Sequence, residues 1–141
     1  MSKKEKMLKG IKTPSRRKFF KVAAATGAAA AASPSVVTLA VNSASSGGSG
    51  SGVVLTEDGY ILTNAHVATL GGLTETASIS VMLWDGQVLP AELIGFDSVY
   101  DLAVLKIEAA GLKPIVFADS SALNVGQNVV AIGAPLGLSS T

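Results

Sequence analysis

The chain has 141 residues, of which 48% are apolar and 15% charged, so it holds the material for one domain with a modest core. It contains no cysteine, which excludes disulfides and thiolate metal sites. Because it also has a single histidine, a zinc site is not expected. We predict neither a metal nor another cofactor.

The net charge of +1 conceals two parts of opposite sign. Residues 1–21 carry nine Lys or Arg and one Glu, a net charge of +8, whereas the remaining residues carry two Lys and nine acids, a net charge of −7. A basic head of this kind can be an arm that binds nucleic acid. The residues that follow it fit an export signal better, so we expect no nucleic-acid partner.

The basic head ends in S-R-R-K-F-F-K at residues 15–21, which resembles the twin-arginine export signal, and a mild, alanine-rich run follows it. We predict a signal over residues 1–32, a protein domain over residues 33–141, and export by the twin-arginine route to the periplasm or the cell exterior. An uncleaved membrane anchor is the alternative, although Gly27 and Pro34 interrupt the apolar stretch. The membrane is expected as a partner only through this segment.

From residue 33 onwards the sequence predicts short strands separated by turns. Alternating or β-branched runs predict strands at residues 36–41, 50–56, 60–63, 79–84, 87–96, 101–108 and 128–132. Turns are predicted at E-D-G (57–59) and D-G (85–86), loops at 42–48 and 74–78, a helical turn at 65–70, and a bulge or edge position at Pro90. This spacing of strands favours an all-β barrel or sandwich.

Two short motifs carry the chemistry. His66 follows a predicted strand in T-N-A-H-V. It is a candidate general base because imidazole is the type of side chain whose unperturbed pKa lies closest to neutral pH. Asp101 opens D-L-A-V-L-K-I, so an acid stands before another predicted strand. A base and an acid are two of the three parts of an acid–base–nucleophile device. Asp97 is the alternative acid, but it lies in a predicted turn, and we prefer Asp101.

The two motifs, in this order, resemble trypsin-like serine proteases of the HtrA/Deg type. The stretches G-S-G-S-G-V-V (48–54) and A-I-G-A-P-L-G-L (131–138) resemble segments at the same places in that family. The resemblance implies the first six-stranded barrel of a two-barrel chymotrypsin-like fold, with the second barrel mostly absent. It also implies His66 and Asp101 as catalytic residues, polypeptide substrates that include unfolded proteins, and a homo-oligomer for the full-length protein.

The chain contains no residue that we predict as the nucleophile. The resemblance implies a serine in a G-x-S-G-G loop after the acid, and no segment here has that form. Ser139 and Ser140 lack flanking glycines, and Ser49 and Ser51 precede the histidine. We expect the glycines beside Ser49 and Ser51 to allow bending or close backbone approach, with a flexible loop as the alternative. We therefore expect an inactive N-terminal part of an exported serine endopeptidase. The alternative is a non-catalytic exported β-barrel domain that binds a partner.

Overall fold

The structure is a computed structural model that describes residues 27–72 and 78–133. The predicted export signal lies outside these ranges except for its end, which forms the short helix α1 (Gly27–Ala32) followed by a 3-10 turn, Ser33–Ser35. The loop predicted at residues 74–78 also falls outside them, apart from its last residue. No helix within the two described ranges is long and apolar enough to span a bilayer.

Within residues 27–72 and 78–133, six antiparallel strands form a single closed sheet. They are β1 (Val36–Asn42), β2 (Gly47–Val54), β3 (Tyr60–Thr63), β4 (Ser78–Met82), β5 (Val88–Asp97) and β6 (Leu102–Ile107). Their order around the barrel is β1-β2-β3-β6-β5-β4, and pairing of Leu39 with Val81 belongs to the β1–β4 contact that closes it. The all-β, six-stranded barrel predicted from the sequence is confirmed.

The core lies inside the barrel because successive strand residues point to opposite faces of the sheet. In β6, for example, Ala103, Leu105 and Ile107 are buried while the residues between them are partly exposed. The buried core comprises Val37, Leu39, Val41, Val54, Ile61, Ala68, Ile79, Val81, Ala103, Leu105 and Ile107. Aliphatic side chains therefore fill the interior, as expected for a small barrel, and give its two ends a rigid support.

The β2–β3 turn is tied to β6. Gly59 has a φ of +109°, which glycine adopts readily and other residues rarely do. Its carbonyl accepts a hydrogen bond of 3.0 Å from the N–H of Ile107, and a Cβ at this position would overlap the carbonyl oxygen of Ile107. Lys106 Nζ donates to the carbonyl of Asp58 at 2.9 Å. The turn thus fixes β3 beside β6.

The strand predicted at residues 128–132 is wrong. This segment is irregular, and Val129 is 80% exposed. A β-branched run becomes a strand only when a neighbouring strand accepts and donates its backbone hydrogen bonds, and no strand of the described ranges pairs with this one.

Pro90 occupies an edge position, one of the two alternatives predicted for it. It lies opposite Ser80 in β4, but pairing between β5 and β6 begins only at Ala91. Pro90 therefore has a strand neighbour on one side only, where a missing N–H is tolerated. The register shift of β5 occurs further on, between Leu93 and Gly95.

Candidate active site

The pairing of β3 with β6 brings the two predicted site residues to one end of the barrel. Thr63, the last residue of β3, lies opposite Ala103 near the start of β6. The helical turn α2 (Ala65–Ala68) follows β3 and carries His66, and Asp101 directly precedes β6. Two residues 35 positions apart in the sequence thereby become neighbours.

The carboxylate of Asp101 contacts His66 through both of its oxygens. Oδ2 lies 2.7 Å from the ring atom Nδ1, and Oδ1 accepts a hydrogen bond of 2.9 Å from the backbone N–H. Because an ionised carboxylate only accepts hydrogen bonds, Nδ1 is assigned the ring proton and Nε2 keeps its lone pair. The side chains of His66 and Asp101 are 64% and 42% exposed, so Nε2 belongs to a ring that solvent and ligands can reach. This arrangement can act as a general base.

The contacts with His66 favour the ionised form of Asp101. The hydrogen bond from the backbone N–H of His66 contributes most, the bond from its ring contributes next, and together they hold the pKa of the Asp101 carboxyl below its ordinary value of 3.8. Partial desolvation acts in the opposite direction. The acid is therefore a carboxylate throughout the neutral range.

We expect the pKa of Asp101 to respond to the loss of the histidine ring. In His66→Ala it should rise towards 3.8 without reaching it, because the backbone N–H of residue 66 remains. The stabilisation from this pair is present above the pKa of the unfolded chain and is lost as pH falls through the lower folded value. The ¹³Cγ shift of Asp101, followed against pH, measures the change. Asp119 is an internal control, since Ser121 lowers its pKa independently of His66. An Asp101 midpoint that does not move would contradict the assignment.

The glycines of β2 make room for the turn that carries His66. A Cβ at Gly50 would lie 2.6 Å from Cγ1 of Val67, the residue after the histidine. A Cβ at Gly52 would lie 3.1 Å from the carbonyl oxygen of Leu62. Both distances are too short for ordinary contact. The predicted approach of another backbone is therefore found at Gly52, whereas Gly50 faces a side chain. The Gly-rich stretch of β2 therefore packs against the turn that carries His66.

Asp97, the alternative acid, has a different contact. Its Oδ1 accepts hydrogen bonds from the backbone N–H groups of Val99 at 2.7 Å and Tyr100 at 3.0 Å. These bonds form the turn that leads from β5 to Asp101. The structure therefore brings Asp101 to His66 and gives Asp97 the turn-forming role that the sequence suggested.

The other predicted positions lie in β2 or outside the described ranges. Ser49 and Ser51 belong to β2, opposite Ala40 and Thr38 of β1. Ser139 and Ser140 are outside the described residues. Within residues 27–72 and 78–133, no three His, Cys, Asp or Glu side chains converge in a way that could hold a metal ion.

Asn64 contacts Asp101, a role that its sequence motif alone does not predict. Its Nδ2 lies 3.0 Å from the main-chain oxygen of Asp101 and 3.1 Å from Oδ2. The residue stands in the T-N-A-H-V motif, but the sequence does not show where its side chain points. An asparagine directly before a short helix is expected to cap that helix, so the sequence predicts capping and not a contact with Asp101.

Comparison with known proteins identifies the family. Residues 50–141 match the family described as the trypsin-like peptidase domain. The chain belongs to this family. Its trypsin-like peptidase domain is similar to the probable periplasmic serine endoprotease DegP-like of Halomonas elongata, with 52% identity over 89 residues, which is 63% of this chain and 18% of that protein. A protein of the same description from Hahella chejuensis is 50% identical over 93 residues, 66% of this chain and 19% of that protein. The chain thus spans about a fifth of the length of these curated relatives.

Solved structures support the same assignment. The serine endoprotease from Yersinia pestis superposes on the trypsin-like peptidase domain with a TM-score of 0.55 and 39% identity, covering 63% of this chain and 30% of that one. The HtrA-type protease AlgW, solved with a tripeptide, gives a TM-score of 0.61 and 37% identity, covering 69% and 30%. The resemblance to HtrA/Deg proteases and the first-barrel fold are therefore confirmed.

Proposed function

We propose that the chain is the exported first barrel of an HtrA-type serine endopeptidase that hydrolyses peptide bonds in polypeptides, unfolded proteins among them. The observation that carries this proposal is the 2.7 Å contact between Nδ1 of His66 and Oδ2 of Asp101. It lies at the end of a closed barrel in a chain of the trypsin-like peptidase family.

In the proposed mechanism, His66 acts through Nε2. It accepts the proton of a serine hydroxyl as that oxygen attacks the peptide carbonyl, and then gives the proton to the departing amine. Asp101 keeps the other ring proton on Nδ1 and stabilises the imidazolium that forms, without becoming protonated itself. We place the serine and the oxyanion hole in a second barrel beyond this chain.

We further propose that residues 1–32 are a twin-arginine signal and residues 33–141 the barrel domain, with an uncleaved anchor as the alternative. The relatives from Halomonas elongata and Hahella chejuensis are named periplasmic endoproteases, which supports a periplasmic location here. We expect the complete protein to be a homo-oligomer. N-terminal sequencing of the exported protein tests whether the signal is cleaved, and gel filtration tests whether the complete protein is a homo-oligomer.

A serine-directed fluorophosphonate probe tests the proposed activity. The complete protein should be labelled, because its serine is activated by His66, whereas the 141-residue chain should not be. His66→Ala in the complete protein should abolish the labelling, while Gln87→Ala, at an exposed turn of the barrel, should preserve it. Labelling of the chain alone would mean that the nucleophile is misplaced. A folded complete protein that is never labelled would favour a non-catalytic binding barrel.

A further inference from the structure

We propose that Asn64 is a positioning residue, whose side-chain amide holds Asp101 in the conformation that directs its carboxylate at His66. The catalytic consequence rests on the proposed function, whereas the positioning itself is a property of the fold. Asn64 ends the connection from β3 to α2, and Asp101 precedes β6, so the contact joins the two segments that form the site.

One amide group contacts both the backbone and the side chain of Asp101. Nδ2 of Asn64 donates to the main-chain oxygen at 3.0 Å and to Oδ2 at 3.1 Å. Both partners accept hydrogen bonds only, so the nitrogen of the amide faces them, and its two protons allow both bonds at once. A single side chain thereby fixes the direction of the carbonyl and of the carboxylate.

The backbone of Asp101 requires such a restraint. Its φ is +55°, in the left-handed region that residues other than glycine rarely adopt unless their surroundings impose it. The two preceding residues, Val99 and Tyr100, are 86% and 77% exposed, so core packing does not hold this side of the residue. The bonds from Asn64 supply the restraint at that point.

Asn64 does not perform the role expected at its own position. It is the N-cap residue of α2, with extended backbone angles of −84° and 145°, yet its side chain makes no capping hydrogen bond. Asparagine is favoured at N-caps because its side-chain oxygen accepts a bond from the first turn. Here the side chain is directed at Asp101 instead, which indicates that this contact, and not helix capping, accounts for the asparagine.

Loss of the Asn64 amide should make the Asp101 carboxylate more mobile. Oδ2 of Asp101 lies within hydrogen-bond distance of both Nδ2 of Asn64 and Nδ1 of His66. Without Asn64, the described residues leave the carboxylate with the two bonds from His66. The carboxylate can then rotate about its side-chain bonds, and the ring proton is no longer confined to Nδ1. The fraction of rings with Nε2 free to accept a proton falls accordingly.

The first test is an NMR measurement on the 141-residue chain. His66 is its only histidine, so the ring ¹⁵N signals need no assignment by mutation. The wild-type chain should show the neutral ring protonated on Nδ1. Asn64→Ala should add the form protonated on Nε2, and Asn64→Asp, which keeps the shape but replaces both donors by a carboxylate, should do so at least as strongly. Gln87→Ala removes an exposed amide elsewhere and should change nothing.

The second test is the kinetics of peptide hydrolysis by the complete protein. Asn64→Ala should lower kcat about 10-fold, the order expected for one hydrogen bond to a charged group, and should leave KM unchanged. Asn64→Asp should be slower still. A side chain that only fills space would tolerate the isosteric aspartate and would not separate kcat from KM.

Each outcome of the two tests either supports or contradicts the positioning role of Asn64. Wild-type ring signals and wild-type kcat in Asn64→Ala overturn the proposal, as does an Asn64→Asp protein with full activity. If Asn64→Ala does not fold, the isosteric Asn64→Asp supplies both readouts. A changed proton position in Asn64→Ala, together with full peptidase activity in His66→Ala, would support the positioning role and refute the proposed function. An unchanged proton position in Asn64→Ala, together with an inactive His66→Ala protein, would support the proposed function and refute the positioning role.

Discussion

Under the proposed function, Asp101→Asn in the complete protein should lower kcat by about 10⁴-fold, with a small effect on KM. This magnitude is that of the well-characterised Ser-His-Asp triad of the same superfamily and not a quantity calculated from this structure. The physical cause is the proton on the imidazole. An asparagine presents an N–H towards Nδ1 of His66, so the ring proton moves to Nε2, which then cannot accept the proton of the serine.

Initial-rate kinetics with a peptide substrate measure this effect, and Asp97→Asn is the matched control. Asp97 lies four residues earlier and accepts backbone N–H groups of its own turn, a role that the amide oxygen of asparagine can partly retain. Its loss of activity should be at least 100 times smaller than that of Asp101→Asn, given the estimate of about 10⁴. Equal losses in the two variants, or an active Asp101→Asn enzyme, would show that Asp101 is not the acid.

Gly59→Ala should destabilise the barrel by roughly 4 kcal/mol or more, a large part of the 5–15 kcal/mol available to a domain. Two causes add together at this position. The φ of +109° is strained for alanine, and the new Cβ would overlap the carbonyl oxygen of Ile107. Relief of that overlap requires the turn to move away from β6, which breaks the hydrogen bond from the Ile107 N–H to the Gly59 carbonyl.

Gly86→Ala separates the two causes. Gly86 also lies in a hairpin turn, with a φ of +89°, but a Cβ there would meet no atom within 4 Å. Its cost should be that of the backbone strain alone, roughly 1–2 kcal/mol. Urea unfolding of the wild-type chain and both variants gives the two free energies. Equal costs would mean that the overlap at Gly59 is absorbed without loss of the contact with β6.

The strands could be predicted wherever one face of the sheet is buried. In β1, the alternation of Val37, Leu39 and Val41 with less buried residues has a period of two, and the sequence shows it directly. The turn at Gly59 could also be predicted, because E-D-G is a strong turn signal. The prediction failed at residues 128–132, because a β-branched run shows only a preference for extended backbone. Whether a neighbouring strand pairs with it depends on the whole fold.

The site was predictable in part. His66 and Asp101 stand in motifs, and their order along the chain raised the expectation that they meet. No local pattern could show that β3 pairs with β6, which is the contact that brings them together. The role of Asn64 was hidden for the same reason, because its partner lies 37 positions away and the left-handed backbone of Asp101 has no signature in the sequence.

The pairing of β3 with β6 also determines when, during folding, His66 and Asp101 can come into contact. Thr63 and Ala103 are distant along the chain, and closing so large a loop costs entropy that is recovered only when the intervening hairpin has docked. Before that docking, the polypeptide keeps the imidazole of His66 and the carboxylate of Asp101 apart. The contact between the two side chains is therefore formed late in folding, together with the tertiary structure of the barrel.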